Sequence, residues 1–127
     1  MKKTMMILTA GAATAALAIP GAAAASDDEV ENSGQCTGGT TSKIKVKPDD
    51  GQLEVEFEVD QNQTGDRWKV KLKDNGDKVF KGSATTRGPS GSFSIERKIP
   101  NKSGTDSITG IARNTDGGER CAARVSI

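Results

Sequence analysis

Leu53-Glu54-Val55-Glu56-Phe57-Glu58-Val59 alternates apolar and acidic residues without a break. A side-chain period of two puts Leu53, Val55, Phe57 and Val59 on one face of a strand and the three glutamates on the other. Lys43-Ile44-Lys45-Val46-Lys47 before it and Trp68-Lys69-Val70-Lys71-Leu72-Lys73 after it repeat the alternation with lysine in place of glutamate. Such segments describe antiparallel sheet with one face packed and one face wet. The pattern specifies a fold far more sharply than an activity, since no motif with an attached chemistry stands in the chain.

Between the first two of these segments, Pro48-Asp49-Asp50-Gly51 is turn chemistry, with proline fixing φ and glycine free to take positive φ. A turn around those four residues sets Lys45 beside Glu54 and Lys43 beside Glu56, and each such exposed pair is worth some tenths of a kcal/mol. The polar stretch Asp60 to Asp66 reads as a loop crossing to a second sheet. Trp68 is in phase with Val70 and Leu72, which makes it a core residue rather than a ligand platform. Asp74-Asn75-Gly76-Asp77 is a hairpin signal, because Asn-Gly suits a type I′ turn. The returning strand runs from Lys78 to about Thr86. A two-residue turn sets Val79 opposite Leu72, and a bulged one sets Phe80 there; the sequence leaves both open. After the loop Arg87 to Gly91 comes a strand carrying Phe93, Ile95 and Ile99, with Arg97 interrupting its apolar face. Ile108, Gly110 and Ala112 share one side of the next strand. Cys121, Ala123, Val125 and Ile127 share one side of the last. About seven strands with turns at roughly ten-residue spacing predict an all-β, antiparallel sandwich.

Residues 1–25 have the parts of a secretory signal peptide: Lys2 and Lys3, an apolar run from Met5 to Ile19, then Pro20 and small residues suited to cleavage before Ser26. The run is short of the roughly 20 apolar residues of a membrane span and ends in a helix breaker, so a secreted, extracellular protein is expected, with no membrane contact once the signal is removed. Cys36 lies too far from the apolar run, and follows Gln35, for a lipid anchor. Residues 26–35, with Asp27, Asp28, Glu29 and Glu31, read as a flexible acidic segment, and residues 36–127 as the folded domain. The two cysteines, Cys36 and Cys121, are expected to pair in an oxidising compartment. The closed loop would contribute roughly 4 to 5 kcal/mol in the chain-entropy account, with parallel first and last strands bringing the thiols together. Without Lys2 and Lys3, 16 basic side chains stand against 17 acidic ones. Near neutrality predicts no net field that would draw nucleic acid or an anionic membrane, and a monomer is expected.

The stretch from Lys43 to Ile127 resembles an immunoglobulin-like or fibronectin type III-like sandwich, with its inward Trp68 on the third strand, Asp106 to Asn114 as penultimate strand and Cys121 to Ile127 closing. The Lys-Pro-Asp-Asp-Gly turn and the Glu-Val-Glu-Phe-Glu-Val strand also resemble small exported proteins of actinobacteria, a likeness that implies fold and compartment and no activity. Antibody domains join their second and sixth strands by a disulfide. Here those strands carry Phe57 and Gly110, and with no tyrosine in the chain the tyrosine corner is missing. The likeness therefore implies a fold without a specific immunoglobulin function.

The chemistry-bearing residues have structural readings. With no histidine, the usual base near neutral pH is absent, and no catalytic residue, cofactor or metal site is expected. The carboxylate pairs Asp49 with Asp50 and Asp74 with Asp77 lie in turns that account for them; with Asp116 they are the only hint of calcium. The lysine rows Lys43, Lys45, Lys47 and Lys69, Lys71, Lys73 read as solvated faces that discourage edge pairing, with contact to an anionic wall polymer as the alternative. Arg87, Gly88, Pro89 and Ser90 form a polar loop able to meet a partner. The leading expectation is a non-catalytic secreted binding or structural module acting by surface contact on an extracellular protein or cell-wall polymer. Behind it stand a small inhibitor of an extracellular hydrolase and, more distantly, a carbohydrate- or wall-polymer-binding module.

Overall fold

A computed structural model describes residues 28–127; the expected signal peptide over 1–25 and its cleavage site lie outside the described residues. Nine strands follow in order: β1 (Val30–Ser33), β2 (Gln35–Cys36), β3 (Thr41–Asp49), β4 (Gln52–Asp60), β5 (Arg67–Asp74), β6 (Asp77–Thr85), β7 (Ser92–Pro100), β8 (Ser107–Asn114) and β9 (Arg120–Ser126). They form a four-stranded sheet, β1-β3-β4-β7, and a five-stranded sheet, β2-β9-β8-β5-β6, with every pairing antiparallel. No helix occurs among the described residues, so none crosses a membrane. Apart from β1 and β2, the order is that of an immunoglobulin-like sandwich whose fourth long strand has joined the second sheet.

The alternating segments bury one face each. Ile44, Val46, Val55, Phe57, Val59, Trp68, Val70 and Leu72 are fully buried between the sheets. The Trp68 and Phe93 rings lie 6.2 Å apart, tilted by 53°, and the indole Nε1 donates to Gln61 Oε1 at 3.1 Å, so the buried N–H is satisfied. Trp68 is a core residue, as its phase predicts. Phe57 crosses the core to Gly110: a Cβ on Gly110 would stand 2.7 Å from two of its ring carbons. Glycine is there because the ring occupies the side-chain space. Arg97 faces Val55 across the ladder and yet escapes the core, laying its guanidinium 4.5 Å from the centre of the Phe80 ring. It covers the gap between edge strands β6 and β7 as a cation over an aromatic face.

Three sequence expectations are corrected, and one open choice is settled. Val30–Ser33, assigned above to a flexible acidic segment, is strand β1, paired with Lys43–Val46; Val30 is half buried against the core and Glu31 meets Lys43 at 3.3 Å. The first hairpin is tighter than expected: Asp50 and Gly51 have φ of 50° and 80°, a two-residue turn that pairs Asp49 with Gln52 and so sets Lys45 against Glu56 and Lys43 against Glu58. The slip is two residues, which keeps every side chain on its expected face. At the second hairpin the open choice falls to the bulge: Leu72 faces Phe80, Lys73 faces Lys78, and Val79 is the extra residue.

The third correction concerns how the cysteines meet. Cys36 and Cys121 form the disulfide, with Cα atoms 4.0 Å apart, because the two-residue strand β2 pairs antiparallel with β9 and places them opposite one another. Strand β3 lies in the other sheet and takes no part. The chain changes sheets at Gly34, where a Cβ would strike Ser42 Oγ and the Ala122 carbonyl. The cystine fits an oxidising compartment.

Gly110→Val should destabilise the domain by about 1 to 3 kcal/mol through overpacking against Phe57. Urea unfolding would show this as a lower midpoint at unchanged slope, and an unchanged midpoint would mean that the Phe57 ring has room to move.

Candidate functional site

The two sheets treat their outward charges in opposite ways. On the four-stranded sheet Lys43, Lys45 and Lys47 stand directly opposite Glu58, Glu56 and Glu54, with Nζ–O distances of 3.8, 3.5 and 3.7 Å. Lys98 meets Asp49 at 3.0 Å. The one facing pair of like charges on those ladders is Glu56 with Glu96, and Lys45 and Ser94 Oγ attend Glu56. Contact with Glu56 raises the Lys45 pKa above its usual value, and contact with Asp49 does the same for Lys98. This face neutralises itself.

The five-stranded sheet does not. Alternation on β5 sends Lys69, Lys71 and Lys73 outward, while Val70 and Leu72 are buried. The register then places Lys71 opposite Lys81 and Lys73 opposite Lys78 on β6. On the other flank Lys69 faces Arg113 of β8, which faces Arg120 of β9. Arg124 lies opposite Thr109, and Arg67 opposite Thr85. None of these cations has an acidic partner in the register, and none joins an ion pair among the described residues. Between β6 and β9 the sheet hollows into an open trough of about 640 Å³ around Ile111 and Ser83, rimmed by Lys69, Lys71, Lys81, Arg113 and Arg120. Its charged groups are solvated, free of counter-charge and within reach of one another.

The lysine rows that the sequence shows as equivalents are therefore different objects. Lys43, Lys45 and Lys47 form a compensated surface, and Lys69, Lys71 and Lys73 form the spine of a cationic one. Arg113, Arg120 and Arg124 were not legible as members, because they lie on strands distant in sequence. Net charge hid the segregation. A chain near neutral as a whole can still carry a local positive field, and the registers of β5, β6, β8 and β9 gather cations on one face.

The expected contact loop lies elsewhere, at the end where the β4–β5, β6–β7 and β8–β9 connections gather. Arg87, Gly88, Pro89 and Ser90 are all exposed. The loop is braced: Gly91 packs its Cα against the backbone of Asn62 and Gln63 with φ at 78°, Gln61 N–H donates to the Gly91 carbonyl, and Gly91 N–H to that of Arg87. Beneath it Asp66 Oδ2 accepts from Gln61 Nε2 at 2.6 Å and Asn114 Nδ2 at 2.9 Å. Those bonds, Asn114 first, lower the Asp66 pKa. Asn114 Oδ1 in turn accepts from the backbone N–H groups of Asp116 and Gly117. The network fixes the frame that carries the loop.

Two of the other acidic residues singled out in the sequence have structural partners. Asp77 binds Lys102 at 3.0 Å and Asp116 Oδ2 accepts the Arg67 backbone N–H. No group of three metal-ligating side chains occurs among the described residues. Asp74, read as a turn residue, is instead fully buried beside Asp106, also fully buried; three of their four carboxyl oxygens lack a hydrogen-bond partner. Burial first, then Asp106, push Asp74 up to about 6, while Lys102 pulls it down more weakly. Nothing in the sequence marks this pair, because Asp74 ends β5 and Asp106 lies far along the chain in the β7–β8 connection.

The folded Asp74 carboxyl holds its proton more tightly than the unfolded one, whose pKa is about 3.9. Its stabilising contribution is complete below about pH 4 and lost as pH rises through about 6. The lowered Asp66 acts in a separate, more acid window, where stability is lost as pH falls through its folded pKa. Melting temperature should thus decline between pH 4 and 7 in the wild type, and Asp74→Asn should flatten the decline. An identical slope in both proteins would show that Asp74 ionises normally. No protein-family model matches this chain, and no curated protein matches it.

Proposed function

We propose that this chain is an exported, non-catalytic binding module that works by surface contact, and that the outward face of the five-stranded sheet is its contact surface for an anionic partner. One observation carries the reading: like charges face each other across β5, β6, β8 and β9 without a carboxylate between them. Like charges directly opposite in a sheet are destabilising, and the other sheet of the same molecule sets each of the three β3 lysines opposite a β4 glutamate. Multivalent counter-charge on a partner would relieve the repulsion. The non-catalytic part is supported by the commitments of the candidate groups: Asp66 is spent on a loop frame, Asp74 and Asp106 are sealed from solvent, and both cysteines are joined.

The braced loop at Arg87–Ser90 favours a second reading, an inhibitor of an extracellular hydrolase, because a rigid exposed loop loses little freedom on entering a cleft. Replacing Arg87 and Ser90 by alanine should change stability by no more than about 0.5 kcal/mol. Any inhibition lost in that variant would assign the activity to the loop.

The test of the leading reading is retention of the purified protein on anionic resins. Binding should weaken steeply with added salt, and a Lys71→Glu, Arg113→Glu double variant should elute at clearly lower salt than the wild type. Salt-independent retention, or equal elution of the two proteins, would overturn the assignment of this face.

A further inference from the structure

Resting on that reading of the face, we propose that its partner is a ring-free linear phosphate chain, a polymer of phosphate groups joined directly or through short polyols. The geometry calls for a multivalent ligand. Cross-strand neighbours such as Lys71 and Lys81, or Arg113 and Arg120, have Cβ atoms about 5 Å apart, and successive outward positions on one strand lie about 6.7 Å apart. The cations form a lattice that runs past the trough, to Lys73 and Lys78 on one side and Arg124 on another. A single small anion would satisfy a corner of it. A chain with one charge per short repeat can follow it.

The trough also decides between a chain and a lipid surface. A planar bilayer would rest on the lysine tips and leave the floor at Ile111 and Ser83 unfilled, and no exposed aromatic flanks the cations to anchor in an interface. A flexible polymer can enter the hollow.

Among anionic polymers, those built on bases or sugar rings add to their charge contacts wherever a surface offers somewhere to lay the rings. Sugar and base recognition draws on stacking platforms, each worth about 1 to 3 kcal/mol per base for single-stranded nucleic acid. This face has none: Trp68, Phe57 and Phe93 are buried in the core and Phe80 is covered by Arg97. What it offers is lysine ammonium groups, arginine forks suited to phosphate oxygens, and the hydroxyls of Ser83, Thr85 and Thr109 between them. That inventory suits phosphate groups on a chain with nothing to stack.

The experiment titrates the purified protein with long-chain inorganic polyphosphate, heparin, polygalacturonate and a single-stranded oligonucleotide, matched in charge concentration, at several salt concentrations. Polyphosphate should bind at least tenfold more tightly than the three ring-bearing polymers, with a logarithmic salt slope of about −0.7 per phosphate engaged. Lys71→Glu and Arg113→Glu should each weaken polyphosphate binding about tenfold while raising or preserving the melting temperature, because each places opposite charges face to face; a residue with only a structural role would lower it. Should a ring-bearing polymer bind as tightly as polyphosphate, the ring-free assignment falls and the cationic contact surface stands. Should no polymer bind in a salt-dependent way, both fall.

Discussion

The contact of Phe57 with Gly110 joins the two sheets at the centre of the molecule, and the rest of the structure follows from it. Immunoglobulin domains place a cystine at the equivalent crossing. Here an aromatic ring reaches from β4 to the bare backbone of β8, and the sheets approach as closely as that ring and that missing Cβ allow. Trp68 and Phe93 close the core toward one end. Since apolar packing secures the middle, the disulfide is released to another task. It ties the short strand β2, and through Gly34 the strand β1, onto a sandwich that would otherwise begin at β3.

The sheets so joined are electrostatically unlike. Two unit charges about 5 Å apart in water interact by roughly 0.8 kcal/mol, so each facing Lys–Glu pair on β3 and β4 gives a little and each facing Lys–Lys or Lys–Arg pair on the other sheet takes a little. Side chains that flare apart reduce both. The totals matter less than the asymmetry, because solubility alone would be served as well by the alternating signs already used on the first sheet. The contrast inside one molecule, at matched positions and with the same alternating pattern, is what supports the proposed contact surface over an ordinary wet face.

What the sequence made legible was everything governed by a period of two. Core and solvent faces of β3, β4, β5 and β8 stand where the alternation puts them, and even a two-residue slip at the Asp50-Gly51 turn left each side chain on its side. What escaped reading depends on partners distant in the chain. Strand β1 is short, and its reasons to be a strand lie far along the chain: Glu31 meets Lys43 on β3, and Val30 packs half buried against the core. The bulge at Val79 lies beyond a two-residue Asn75-Gly76 turn, and nothing in that dipeptide marks it. The burial of Asp74 needs Asp106, and the cationic face needs β8 and β9 brought beside β5. A linear count of charge averages such features away.

Salt acts on the two sheets with opposite sign. The Debye length is about 10 Å at 0.1 M ionic strength, longer than the cross-strand distances, so screening on both faces grows through the physiological range. On the four-stranded sheet it weakens attraction between lysine and glutamate; on the five-stranded sheet it weakens repulsion among cations. The two effects offset one another in the stability of the free protein, which is therefore a poor reporter of either. The proposed binding of a polyanion would involve only the second sheet, where salt removes an attraction and has no compensating loss to relieve. A protein whose melting temperature barely responds to salt while its binding falls steeply has its charges divided between a self-neutralised face and an open one, and the registers of β3–β4 and β5–β6 describe that division.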